Sequence, residues 1–334
     1  MIDRLQHMEH WLNSLGFQNY TLTSASEDAS FRSYQRLLAG SESWVVMDAP
    51  PDKEPCDSFI DIAAKLRQAG LSAPDVIAQD LELGFLLLTD LGVAPYLSAL
   101  NASSEADLYA DALTALLRMQ VNVPSQNLPA YDEALLSLEM DLFHDWFLGE
   151  LLDINLTKLQ QQQWHSIRQT LIQNALEQPQ LFVHRDYHSR NLMKIDPGNS
   201  GFSNPGIIDF QDAVRGPITY DLVSLLRDCY IDWPIVRVEQ LVLDYYRLAK
   251  ESALVDVESN QFLHWFNLMG AQRHLKAVGI FSRLNIRDGK SGYLKDIPRT
   301  LNYLRQVSER ESSMAGLGDL IGELNLYQRI KALI

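Results

Sequence analysis

The sequence predicts an α+β chain of two unequal parts, a small β-rich N-terminal lobe and a larger, mainly helical C-terminal lobe. Three observations predict it. Short strand-like apolar runs gather before residue 90, apolar residues at helical spacing dominate beyond it, and one island of short strands interrupts the helices between Leu181 and Ile208.

Taken in order, MIDRLQHMEHWLNSLGF has an amphipathic helical pattern with acidic residues and no apolar signal core. Leu37-Leu38 and Trp44-Val45-Val46-Met47 flank Gly40-Ser41 and read as a hairpin. Phe59, Ile62, Ala63 and Leu66 then recur at helical spacing, with Asp57 or Ser58 as N-cap and Gly70 as the C-terminal stop. The run Phe85-Leu86-Leu87-Leu88 is a strand ended by Thr89-Asp90-Leu91-Gly92, which sets the lobe boundary near Asp90: one lobe over 1–90, the other over 91–334. The helical part opens on a Ser104 to Asp107 capping box and the stripe Leu108, Ala112, Ala115, Leu116, Met119. Leu142, Phe143, Trp146 and Phe147 read as core at helical spacing, with a sugar-stacking wall as the alternative. In the island, Leu181-Phe182-Val183, Leu192 to Ile195 and Gly206 to Ile208 are strands, the last two joined by the turn-rich DPGNSGFSNP.

Bulk properties exclude several classes. With 334 residues, 46% hydrophobic and 21% charged, the chain is an ordinary globular protein. No run approaches the roughly 20 apolar residues that span a bilayer, so no membrane partner is expected and the location is cytoplasmic. Cys56 and Cys229 are the only cysteines, which argues against a disulfide framework or a Cys-rich zinc site. The sequons at Asn101 and Asn155 then have no use. A formal charge of −15 argues against a nucleic-acid partner, and it means that a bound nucleotide needs metal ions to offset repulsion. No repeat and no Walker A sequence is present, and Gly316-Leu317-Gly318 with Gly322 is off register for a dinucleotide site.

The stretch that carries chemistry is Val183-His184-Arg185-Asp186-Tyr187-His188-Ser189-Arg190-Asn191, followed after the hairpin by Ile208-Asp209-Phe210. It fits the kinase catalytic loop H-R-D-x-x-x-x-N and the Asp-Phe pair that holds metal. A lone His-Arg-Asp would read equally as a chance tripeptide on a surface loop, but here two motifs agree in order and spacing. Phosphoryl transfer needs a group for the attacking hydroxyl, a role that suits Asp186. It also needs hard oxygen ligands for Mg²⁺, which Asn191 and Asp209 supply. Asp221, in the first turn after Gly216-Pro217, reads as an anchor for the loop backbone.

These residues resemble the aminoglycoside phosphotransferase superfamily, whose loop has the form H-x-D-x-x-x-x-N, and within it the bacterial anomeric kinases of N-acetylmuramate and N-acetylglucosamine. Asp28 to Tyr34, Val46-Met47-Asp48-Ala49-Pro50-Pro51 and Gln272-Arg273-His274-Leu275-Lys276 with Gly279-Ile280-Phe281 support the narrower likeness. The resemblance implies a two-lobed protein-kinase-like fold and ATP with Mg²⁺ as cofactors. It also implies a hinge over Leu86 to Asp90 whose backbone pairs with adenine, with Leu87, Leu88 and Thr89 as the nucleotide-binding residues and a plain buried strand as the alternative, and a phosphate-covering loop over Asp28 to Tyr34. One departure is clear: Val45-Val46-Met47-Asp48 has no lysine and the helix from Asp57 has no glutamate, so the usual strand-to-helix ion pair is missing. Arg32 is the candidate replacement cation, ahead of Lys53, with a solvated surface arginine as the equal alternative. Arg273, Lys276, Ile280 and Arg283 share one helix face that reads either as a site for a sugar carboxylate or as a solvated or salt-bridged face, and His188 reads equally as a substrate contact or a structural loop histidine.

The expected activity is therefore transfer of phosphate from ATP to a sugar hydroxyl, the anomeric one. The alternatives are phosphorylation of an aminoglycoside or other small molecule, against which the basic helix face argues, and a nucleotide-binding pseudokinase, against which Asp186, Asn191 and Asp209 argue together. A protein kinase is disfavoured because no Ala-Pro-Glu follows Asp209.

Overall fold

A computed structural model describes residues 4–26, 31–196 and 201–334. In chain order the elements are α1 (Arg4–Ser14), β1 (Thr21–Ser26), β2 (Ser33–Ala39), β3 (Glu42–Asp48), α2 (Asp57–Gln68), β4 (Val76–Asp80) and β5 (Phe85–Thr89). Next come α3 (Tyr96–Ala99), α4 (Glu105–Asn122), α5 (Glu133–Leu142), a π-helical segment (Phe143–Leu151), α6 (Lys158–Glu177), β6 (Gln180–Val183), β7 (Leu192–Met193), β8 (Gly206–Ile207) and β9 (Val214–Pro217). The chain closes with α7 (Tyr220–Leu226), α8 (Ile235–Glu251), α9 (Ser259–Asp288), α10 (Ile297–Arg310), α11 (Ala315–Glu323) and α12 (Leu326–Lys331). Among the described residues no helix is long and apolar enough to cross a membrane.

Contacts divide the chain into two compact units, one of residues 1–115 with 190–212, the other of 116–189 with 213–334. This division runs past Asp90, and the second crossing point falls inside the His184 to Asn191 loop, between Ser189 and Arg190.

The first unit is built on an antiparallel sheet in the order β1-β2-β3-β5-β4. Gly40, at φ +63°, turns the β2-β3 hairpin where a side chain would strain it. The amphipathic face of α1 supplies Met8, Trp11 and Leu12 to a core shared with Leu37, Val46, Phe85 and Leu87. Because β5 has strand neighbours on both edges and is buried on both faces, its sequence is a continuous apolar run rather than an alternating one. The expected cap of α2 differs: Cys56 is the N-cap, and the Ser58 hydroxyl donates to the Gln211 carbonyl at 2.5 Å, tying the helix to the Asp209 strand end. Gly70, at φ +74°, stops the helix as its sequence foretold. The Ser104 hydroxyl accepts from the Asn101 N–H and donates to the Ala99 carbonyl, fastening the turn ahead of α4. Segment 190–212 joins this unit through backbone bonds from Ile207 N–H to Ser72 and from Lys194 N–H to Ala94. Residues 197–200 of the expected DPGNSGFSNP turn lie outside the described residues.

The second unit is mainly helical around the long α9. A strand pair missing from the sequence reading, β6 with β9, enters it: Val214 to Pro217, read as the approach to a helix, pairs antiparallel with Gln180 to Val183. Tertiary pairing overrides the weak local signal of Val-Arg-Gly-Pro. The stretch from Phe143 forms the π-helical segment, and Phe143 and Phe147 are fully buried, with Phe143 stacked on Trp164. They are core. At Gly279 of α9 a Cβ would lie 2.3 Å from the Leu142 carbonyl carbon, so glycine is what lets α9 meet the start of that segment.

Candidate active site

In the second unit the loop after β6 is pinned at two points. Asp221, fully buried in the first turn of α7, accepts from the His184 N–H at 2.7 Å and the Arg185 N–H at 3.0 Å, as its expected anchoring role requires. Burial pushes its carboxyl up to about 7, against the two N–H groups that favour its charge. Further on, the Ser189 N–H and hydroxyl both donate to Asp228, at 3.0 and 2.5 Å. Between the pins Arg185 adopts φ +78°, a conformation that costs energy outside glycine and is held by its surroundings. Its guanidinium is taken by Glu139 of α5 at 2.5 Å.

The loop thereby presents Asp186 and His188 to a cavity of about 100 Å³. Arg273, Lys276, Ala277, Ile280 and Phe281 of α9 form one wall, and Tyr220, Cys229 and Tyr230 the rest. The side chain of Asp186 is 45% exposed, with His188 Nε2 3.9 Å from its carboxylate. Burial beneath it favours the neutral acid, but the charges of Lys276, His188 and Arg273 outweigh that and hold its pKa down to about 2. Lys276 is buried, 3.0 Å from Glu139 and 3.0 Å from the Tyr220 hydroxyl, and these partners keep it protonated despite its burial. Arg273 is buried as well. So His188, Arg273 and Lys276 do converge with Asp186, whereas Arg283 lies outside the cavity lining. Tyr230 packs edge-on against His188 and faces Phe281, so the aromatic wall sits here and not at Phe143 to Phe147.

The other motif residues meet in the first unit. Asn191 Nδ2 donates to Asp209 Oδ2 at 2.9 Å, and Gln211 Nε2 donates to Asp209 Oδ1 at 3.0 Å. The β7-β8 pairing puts the two residues side by side, with the Ile208 N–H donating to the Asn191 carbonyl. Asp209 stands at φ +64°, turned by the burial of Phe210 against Phe59, which explains why an aromatic follows the acid. Both Asp209 oxygens thus accept from amide N–H groups here; a carboxylate and an amide oxygen from these two residues are the hard donors that suit a small divalent cation whose other ligands are phosphate and water.

Arg32 is buried and ion-paired with Glu54 at 2.9 Å. It is not a solvated surface arginine. Glu54 lies in the segment before α2, so a cation–carboxylate pair exists here although β3 has no lysine and α2 no glutamate. Lys53 rests its ammonium 4.3 Å over the Phe31 ring. Asp28, Ala29 and Ser30 of the expected phosphate loop lie outside the described residues. In β5, Leu87 and Leu88 are paired with both β3 and β4, and the Thr89 hydroxyl accepts from the Asp75 N–H.

The profile of the phosphotransferase enzyme family matches residues 21–253, well over half of the chain. The chain belongs to the phosphotransferase enzyme family. Within that family it is 45% identical to the N-acetylmuramate/N-acetylglucosamine kinase of Pseudomonas putida, covering 98% of both chains. It is 40% identical to the kinase of the same name from Neisseria meningitidis, covering 95% of each. Among solved structures, an ADP-bound aminoglycoside phosphotransferase superposes with a TM-score of 0.57 over 89% of this chain and 96% of its own, at 16% identity. The fold of this phosphotransferase is thus protein-kinase-like, with a β-rich N-terminal part and a mainly helical C-terminal part.

Four residues of these clusters escaped the sequence reading: Glu139, Asp228, Tyr230 and Glu54. For Glu139 a signal existed, since it falls at helical spacing between Leu136 and Met140 on the buried face of α5, where an acid demands a partner.

Proposed function

We propose that this phosphotransferase moves the γ-phosphoryl group of ATP to the anomeric hydroxyl of N-acetylmuramate or N-acetylglucosamine, giving the sugar 1-phosphate and ADP. The observation that carries the reading is the 45% identity, over 98% of both chains, to a kinase named for these two sugars. The cavity beside Asp186 supports it by offering what a sugar acid requires: an ionised acceptor, cations and an aromatic wall. As an ATP-consuming step, the reaction belongs in the cytoplasm.

In this reading Asp186 accepts a hydrogen bond from the sugar hydroxyl and aims its oxygen at the phosphorus. A carboxylate held near a pKa of about 2 is a poor proton acceptor, so orientation is its larger contribution. Asn191 and Asp209 would hold Mg²⁺, which when bound neutralises charge at the phosphates. Arg32, steadied by Glu54, is assigned to the phosphates in place of the missing strand lysine. Because both edges of Leu87 and Leu88 are taken by the sheet, and the Gly92 N–H and carbonyl by Asp90 and Arg36, adenine pairing is assigned to the backbone of Asp90 and Leu91 rather than Leu87, Leu88 and Thr89.

The test is phosphorus NMR of a mixture of purified protein, ATP and Mg²⁺ with each of N-acetylmuramate, N-acetylglucosamine, glucose, choline and an aminoglycoside. A sugar 1-phosphate signal confined to the two N-acetylated sugars is expected. Product from only the aminoglycoside or choline, or from none of the five, would overturn the substrate assignment.

A further inference from the structure

Two cations line the cavity, but only Lys276 stands in an ion pair; Arg273 feels the charges of Asp186 and Asp228 from beyond that distance. Lys276 is paired with Glu139 at 3.0 Å and the Tyr220 hydroxyl at 3.0 Å. Arg273, one helical turn earlier and only 6% exposed, has no carboxylate within ion-pair distance among the described residues. Its Nη1 meets nothing better than the Cys229 sulfur at 3.9 Å, and its buried Nε has no hydrogen-bond partner. Burial also favours the neutral thiol of Cys229, so no thiolate answers this charge. A guanidinium carries five N–H donors in a planar fork, and leaving them unmatched in a buried site is costly.

We propose that Arg273 is the receptor for a carboxylate on the substrate, so that it alone of the two cations separates acidic from neutral amino sugars. This rests on the amino-sugar kinase reading above and assigns its specificity to one side chain. The surroundings fit such a ligand. Ile280 and Phe281 follow Arg273 on the same wall of α9, and Tyr230 closes the other side, so a sugar ring has apolar faces to lie against while its acid reaches the fork. Lys276, being committed to Glu139, holds the loop and does not select the substrate.

The experiment pairs kinetics with binding. On the unaltered protein, N-acetylmuramate is compared with its lactyl methyl ester, which keeps the shape and removes the charge; the ester should bind about tenfold to a hundredfold more weakly by calorimetry. In Arg273→Gln the ratio of kcat/KM for N-acetylmuramate to that for N-acetylglucosamine should fall about tenfold to a hundredfold, over and above any loss that both sugars share through Asp186, and Arg273→Lys should recover only part because it lacks the fork. Equal binding of acid and ester by the unaltered protein would overturn the proposal even if no variant folds. So would an equal loss on both sugars in Arg273→Gln. If the protein binds N-acetylmuramate through Arg273 yet phosphorylates neither sugar, the kinase reading fails and the carboxylate site stands.

Discussion

The carboxylate of Glu139 lies 3.0 Å from the ammonium of Lys276, and both side chains are buried. The same carboxylate takes the guanidinium of Arg185 and the hydroxyl of Tyr131, so one acid on α5 ties the loop that carries Asp186 to α9. Burial alone would raise its pKa, but Lys276 and Arg185 hold it below the ordinary glutamate value. Replacing it by glutamine strands a buried lysine and a half-buried arginine. Glu139→Gln should therefore lose about 3–5 kcal/mol in denaturant unfolding, a larger effect than any exposed ion pair of this chain would give. Being lowered in the folded state, its contribution is present above the unfolded value of about 4.3 and fades as pH falls below it.

Asp186→Asn keeps the shape of the loop and removes the ionised acceptor. Turnover should drop by about 10²- to 10⁴-fold. Since its pKa is held down to about 2, Asp186 stays ionised at neutral pH, and kcat/KM should show no acid limb from this group between pH 5 and 8. Residual activity near the native level in Asp186→Asn would remove it from the mechanism.

The Arg32–Glu54 pair predicts a nucleotide effect. Glu54→Gln leaves Arg32 without its ionised partner and should raise the KM for ATP about tenfold while leaving the KM for the sugar within about twofold. Equal changes in both constants would instead mark the pair as a structural tie.

Gly279→Ala tests the packing of α9 on the π-helical segment. The added carbon meets main-chain atoms of Leu142, which cannot rotate away, so unfolding measurements should show a loss of about 1–3 kcal/mol or more.

His274, fully buried and stacked on Tyr303, is a neutral group whose pKa burial pushes down to about 3. Its Nε2 lies 2.9 Å from the Arg227 carbonyl, which makes that nitrogen the protonated one. The folded state resists a proton that the unfolded chain accepts near 6.5, so this contribution is complete above about pH 6.5 and is lost as pH falls towards 3. Stability measured between pH 6.5 and 5 should fall with decreasing pH in the native protein and fall less in His274→Gln.

The chemistry was legible in the sequence because phosphoryl transfer places its groups close together along the chain. Asp186 and Asn191 share one loop and Asp209 follows one hairpin later, so their spacing alone named the reaction class. Strong local periodicity likewise determined the hairpin, α2, β5 and the helical bulk beyond it.

What only the tertiary structure decided is which charges are matched. Arg273 and Lys276 look equivalent on one helix face, and nothing local distinguishes them. Glu139, far away in sequence, forms an ion pair with Lys276 and none with Arg273. Asp228 behind Ser189, Glu54 beside Arg32 and the pairing of β6 with β9 are of the same kind. A residue's type and spacing set what it can do, whereas the partner that satisfies a buried charge is chosen by chain segments that the fold alone brings within a few ångströms.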